Sequence, residues 1–293
     1  MSTAVGSLPE IDFGGVLVAE VAAKKRRAGL GLWFGVTIVA LVVLATVVVR
    51  VAHLGAPDTV NLLDSQLAPS FAHPFGTDAL GRDVFMRTIY ASGLDLEVGL
   101  VTTLAPLLIG MLLGLIAGFF GGWMDAVIMR VMDALLAFPF IVLIVGFVTI
   151  FGVGLTGAYL GLTIASVPFF ARLTRGELLV LREQQFMMAA RTLGFSNRRA
   201  LFKHALPHLM RPNLVYVPSN MLGNILTLAA LSYLGLGVQP PTPEWGEIIA
   251  DGQSYLLTSW WISTLPGLFI VIVGIGLSLT GEGLAERLRV RTG

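Results

Sequence analysis

The 293-residue chain is 55% hydrophobic and 13% charged, with a mean hydropathy of +0.83. An ordinary soluble domain carries about a quarter charged residues, so this composition cannot cover a surface that faces water all round. Nineteen Lys and Arg against 18 Asp and Glu leave a net charge of +1, which excludes a chain built to grip nucleic acid or another polyanion. The absence of cysteine excludes disulfides, thiolate metal sites and cysteine nucleophiles. An integral membrane protein is left.

Stretches free of Asp, Glu, Lys and Arg run over 28–49, 98–124, 134–171, 212–243 and 252–281. A helix crosses the hydrocarbon with about 20 apolar residues. Four of the stretches hold one crossing each. The third holds two, at 135–151 and 160–170, with Gly152, Gly154 and Gly157 supplying the turn between them. The expectation is an all-α integral membrane fold of six transmembrane helices. The first run has a basic flank, but its 22 residues exceed a signal-peptide core and no small-x-small site closes it, so it reads as an anchor.

Basic residues orient the chain. With both ends on one side, sixteen of the 19 Lys and Arg collect there, among them Lys24, Lys25, Arg26, Arg27, Arg130 and the arginines of 172–211. Only Arg50, Arg82 and Arg87 fall opposite, so both termini are expected in the cytoplasm. The expected organisation is a cytoplasmic tail over 1–27, an anchor helix over 28–51 and an outer segment over 52–97. A five-helix core follows over 98–285, carrying a cytoplasmic loop at 172–211, and a tail closes the chain over 286–293.

Several chemistries have no residues to carry them. The only lysines, Lys24, Lys25 and Lys203, do not follow glycine, so no P-loop is present. Ion-driven carriers keep ionisable residues near mid-membrane; the five stretches hold none, and Asp125 and Asp133 read as helix-end residues at the cytoplasmic boundary. His204 and His208 stand four apart but lack a third ligand, and Pro207 interrupts the turn, so they read as surface histidines. No Gly-x-Ser-x-Gly or His-Glu-x-x-His motif occurs. No catalytic residue, metal site or cofactor is expected in this chain.

Within the helices, Gly110, Gly114 and Gly118 recur every four residues, a face that lets another helix approach closely. One proline falls in each of helices two to six: Pro106, Pro139, Pro168, Pro218 and Pro266. Each removes a backbone bond, which leaves packing irregularity and hinge as two open readings. In the cytoplasmic loop, helix formers over 176–193 end at Gly194; Ser196 can cap a second helix, which Pro207 and Pro212 close. Leu201, Ala205 and Leu209 form one stripe at i, i+4, i+8. Periodicity leaves two readings, an amphipathic pair on the inner leaflet or a docking site for a cytoplasmic partner.

Ala189-Ala190-Arg191-Thr192-Leu193-Gly194, followed by His204-Ala205-Leu206-Pro207, resembles the EAA loop of bacterial ABC-importer permeases. The family's usual Glu before the two alanines is Met188 here, which removes any salt bridge that Glu would make. His73-Pro-Phe-Gly76-Thr77-Asp78-Ala-Leu-Gly81-Arg82-Asp83-Val84 is similar to the outer segment of the permeases of peptide and nickel importers. Ala117-Gly-Phe-Phe-Gly-Gly122-Trp-Met-Asp125, Phe138-Pro139, Leu231-Ser-Tyr-Leu-Gly235-Leu-Gly237, Pro243-Glu244-Trp245-Gly246 and Gly281-Glu-Gly-Leu match the same subfamily.

The resemblance implies the six-helix permease fold of type I ABC importers, in a bacterial plasma (inner) membrane. It implies that Met188, Ala189, Ala190, Gly194, Leu206 and Pro207 belong to a loop that couples to an ATPase. Gly76, Thr77, Asp78, Gly81, Arg82 and Asp83 would form the family's outer motif. The implied partners are a second permease subunit, one or two ATP-binding subunits that hold ATP and Mg, an extracytoplasmic substrate-binding protein and membrane lipids. Ser219, Asn220, Asn224 and Thr227 are candidates for the path lining, with Thr102, Thr103, Thr149 and Ser166 beside them. Such weakly polar walls suit a short peptide; nickel or another small solute is the alternative, and a self-sufficient homo-oligomeric channel is the rival outside the family.

Overall fold

The computed structural model describes residues 13–55, 57–185 and 200–289. It is helical throughout, and an isolated bridge between Thr77 and Asp83 is the only β pairing among the described residues. The first helix, α1, runs Phe13–Val51 and is apolar from Gly29 onward. A folded segment with a 3-10 turn at Leu62–Asp64 leads to α2, Val84–Phe120.

Helix α2 begins fourteen residues ahead of the charge-free stretch that predicted it. Asp83 starts it by accepting a hydrogen bond from the Met86 backbone at 2.8 Å, the usual way to satisfy a free first-turn N–H. Charge does not stop the helix because Arg87 is buried against Asp58 and Glu247, and Asp95 against Trp245, instead of facing water.

After Gly121 come α3 (Gly122–Leu136) and α4 (Phe140–Phe151), which meet at 94°. The third crossing expected over 135–151 is therefore a bent pair, broken at Phe138-Pro139. Gly152 and Gly154, at φ 102° and 120°, make the expected turn into α5, Leu155–Arg182. The first residues of the expected loop, 172–182, are helical and continue α5 without a break. Met188, Ala189, Ala190 and Gly194 lie outside the described residues.

A π-type turn at Ala200–Ala205 leads into α6 (Leu206–Val215), which meets α7 (Val217–Tyr233) at 48°. Pro207 stands in the first turn of α6 and Pro212 inside it, so these prolines open and continue a helix that they were expected to close. A first-turn proline has no N–H that the helix could use. A loop with a cis Pro240–Pro241 bond precedes the short helix α8, Trp245–Gly252. The last helix, α9, is Trp261–Arg289.

Among the described residues, α1, α2 and α9 are each long and apolar enough to cross a membrane, and the α3–α4 and α6–α7 pairs raise that number to five. Arg172, Arg175, Glu177 and Arg182 make the far half of α5 too polar to count by composition.

Helices α2 and α5 pack at backbone distance. A Cβ on Gly110 would fall 2.7 Å from the Val167 carbonyl oxygen, and one on Gly114 2.4 Å from that of Ala171. The sequence stripe Leu201, Ala205, Leu209 is buried at the same end with Met111, Leu115, Phe119, Leu178 and Leu181. Helix α9 packs along α1, where Arg287 stands 5.8 Å over the Trp33 ring.

Gly114→Leu is expected to wedge α2 from α5 and to cost about 1–3 kcal/mol of stability, read as a lower melting temperature in detergent. Gly146→Ala, whose new methyl would meet nothing within 4 Å, is expected to leave that temperature unchanged or raised.

Candidate translocation path and coupling end

The segment ahead of α2 is held by charges withdrawn from water. Asp78 accepts from the Leu80 and Arg82 backbones at 2.8 and 2.9 Å, and from Arg82 Nε at 2.5 Å. Arg82 reaches on to Asp251 at 2.9 Å. The turn requires Gly81: its φ is +72°, and a Cβ would fall 1.8 Å from the Asn61 carbonyl oxygen. The Thr77 hydroxyl accepts from the Leu67 backbone at 2.8 Å and donates to the Asp64 carbonyl. Gly76 lies against Trp261. Asp83 caps α2 and also meets His73 Nδ1 at 2.7 Å. All six predicted outer-motif residues thus come together in one small fold over the start of α2.

The residues that sequence reading missed lie beneath it. Arg87, 1% exposed, donates to Glu247 at 2.9 Å and to Asp58 at 3.0 Å. Trp245 is fully buried; its backbone N–H donates to Asp95 at 3.2 Å and its indole N–H to the Thr88 carbonyl at 3.0 Å. Glu244 caps α8 by accepting from the Glu247 backbone at 2.9 Å. One oxygen each of Asp95, Glu244 and Glu247 is buried without a partner. Burial pushes the Glu247 carboxyl up to about 8, against the pull of Arg87. The signal that could have found this group was the Asp83 cap, which carries Arg87 and Asp95 into a helix.

Mid-helix, Asn224 of α7 ties three helices. Its amide donates to the Thr102 carbonyl at 2.9 Å and the Thr103 hydroxyl at 3.2 Å on α2, and it accepts from Ser166 of α5 at 3.5 Å. A second tie lies toward the Arg182 end of α5, where Thr174 donates to Asn213 at 3.1 Å. At that end Arg175 forks onto Asp125 at 2.5 and 2.6 Å, Arg172 pairs with Asp133, and Arg182 donates to the Gly118 carbonyl at 2.6 Å. Asp125 and Asp133, expected as unremarkable helix ends, are both ion-paired.

The family described as binding-protein-dependent transport system inner membrane component matches residues 110–292. A dipeptide transport system permease protein of Alkalihalophilus pseudofirmus is 36% identical over 96% of this chain and 92% of its own length. The chain belongs to this family. A glutathione transport system permease protein of Escherichia coli is 35% identical over 92% of this chain and 89% of its own. A probable D,D-dipeptide transport system permease protein of Escherichia coli is 36% identical over 81% and 80%. A chain solved in inward-facing conformations of the MetNI methionine ABC transporter shares the fold, with a TM-score of 0.55 and 18% identity over 70% of this chain and 95% of that one. The molecule is a membrane-integral permease subunit and not an enzyme.

The permease leaves one face of α7 uncovered. Tyr216, Ser219, Gly223, Leu226, Ala230 and Tyr233 are exposed at alternating steps of three and four, the spacing of a single helical stripe. Of the four path candidates, Ser219 lies on that stripe, and the half-buried Asn220 and Thr227 flank it. Their polar groups turn back to the Tyr216 and Gly223 carbonyls of the same helix. Asn224 points the other way, into the three-helix tie. Leu206 is half-buried and Pro207 exposed at the start of α6. Among the described residues no group of three His, Asp or Glu is arranged to hold a metal ion.

Glu247 holds its proton in the folded permease near neutral pH and loses it in the unfolded chain above about pH 4.5. The folded state therefore binds more protons between those values, and the stability from this group falls as pH rises toward and through 8. The melting temperature of the purified permease is expected to drop between pH 7 and pH 9. Glu247→Gln, which keeps the uncharged shape, is expected to flatten that part of the profile.

Proposed function

We propose that this chain is one permease half of an ATP-driven importer of short peptides in a bacterial inner membrane. Its helices cross six times, with α5 as the crossing that composition alone does not count, and both termini lie in the cytoplasm. The proposed division is the one expected from the sequence: tails at 1–27 and 286–293, an anchor at 28–51, an outer segment at 52–97, and a core at 98–285 with its coupling loop at 172–211. A second permease encloses the path with it. A substrate-binding protein docks outside, and ATP-binding subunits, which hold ATP and Mg, press on the loop inside.

The observation that carries this reading is the uncovered α7 stripe in a chain whose relatives are named peptide permeases. Glycine, alanine and serine let a partner backbone or a substrate come close, and weakly polar neighbours hold a peptide by contacts that do not select its side chains. Rocking of the helix bundles around that face opens the path to one side and then the other. Met188 makes the contact with the ATPase more apolar than the family's usual Glu does.

The test is reconstitution with the candidate second permease, ATPases and binding protein, followed by labelled dipeptide uptake. Gly194→Pro is expected to cut binding-protein-stimulated ATP hydrolysis by about tenfold while the complex still assembles. Gly223→Leu, which adds bulk where a Cβ would meet nothing within 4 Å among the described residues, is expected to suppress uptake without lowering the melting temperature of the isolated chain. Uptake of nickel in place of dipeptide, or solute flux without nucleotide from this chain alone, overturns the reading.

A further inference from the structure

Helix α5 runs to Arg182, so its last three turns already belong to the proposed coupling loop over 172–211. There three arginines reach sideways. Arg172 and Arg175, three residues apart and so on one face, hold Asp133 and Asp125 of α3, and Arg182 holds the last turn of α2 through the Gly118 carbonyl. Asp125 and Asp133 are eight residues apart, two turns along one face of α3.

A narrow apolar seam also holds α3: its Met132, the one buried residue along its length, packs with Val167 and Ala171 of α5, and its own Met129 and Leu135 border the seam with Leu113 of α2. Helix α3 turns through 94° into α4, whose Ile144 and Val148 pack against Ala158 and Leu162 in the outer half of α5. So α3 spans from the cytoplasmic end of α5 to a limb seated on the other half of the same helix. The two pairs are too wet to hold the fold. The side chains of Arg175 and Asp125 are 32% and 22% exposed, and those of Arg172 and Asp133 51% and 48%, where a pair adds about 0–1 kcal/mol. What a forked arginine does supply is a fixed direction of contact.

We propose that Arg172 and Arg175 are positioning residues for energy coupling. They clamp α3 to α5, so that a displacement delivered by the loop at the end of α5 carries the α3–α4 limb with it as one body. The proposal rests on the coupling-loop reading and adds the route by which the push reaches the bent helices.

The experiment uses the reconstituted complex and measures dipeptide transported per ATP hydrolysed in Asp125→Asn/Asp133→Asn. Assembly, melting temperature and basal ATP hydrolysis are expected to hold, while transport per ATP falls about fivefold or more. Asp125→Arg combined with Arg175→Asp, which rebuilds one pair with its charges exchanged, is expected to recover part of the loss. A ratio within about twofold of the unaltered complex overturns the proposal, and so does a loss that tracks the melting temperature and is not recovered by the exchange. Gly194→Pro in the same assay separates the two levels. If it uncouples and the aspartate variants do not, the clamp fails alone; if it too leaves coupling intact, the loop reading fails.

Discussion

The approach of α2 to α5 at backbone distance is the contact on which the remaining structure depends. In a bilayer, apolar side chains gain little by leaving lipid for one another, so helices associate through close packing and buried hydrogen bonds. Glycines 110 and 114 bring the two backbones together, and Asn224 and Asn213 close the polar ties that cross the same region. The outer fold sits on the start of α2, α3 follows from its end, and α4 and α7 pack along its flanks or those of α5. A displacement of that pair therefore reaches nearly every other element described.

The prolines divide by position. Pro106, Pro168 and Pro266 lie inside α2, α5 and α9, where each is buried, and those helices continue past them. Pro139 and Pro218 stand at the beginnings of α4 and α7, and the chain bends there by 94° and 48°. A proline disfavours the helical conformation in the residue before it, and a bend follows where packing does not override that preference. Two of the five prolines thus mark bends in the chain, and the other three sit within helices that continue past them.

Charge is distributed by purpose at the two ends. Where α2 begins, Arg82 and Arg87 are buried: Arg82 pairs with Asp78 and Asp251, so losing those acids strands its charge in the interior, and Arg87 pairs with Asp58 and donates to Glu247. At the far end of α5, Arg172 and Arg175 stay partly wet and bind Asp133 and Asp125 of α3.

Composition, the charge-free stretches and the turn glycines were enough to establish a membrane helical protein, and the motifs at 76–83 and 189–207 were enough to point to the permease family, because bilayer thickness and backbone geometry act locally on residue type. Local signals also revealed the Leu201, Ala205, Leu209 stripe and the glycine ladder. Tertiary structure alone decided that α2 starts at Val84, that Arg87, Asp95 and Glu247 are buried, that Asn224 faces its own helices, and that Asp125 and Asp133 are paired. Each of these depends on what a side chain meets from a segment tens of residues away. A charged residue reads as a loop signal in one dimension until a partner from across the fold removes it from water.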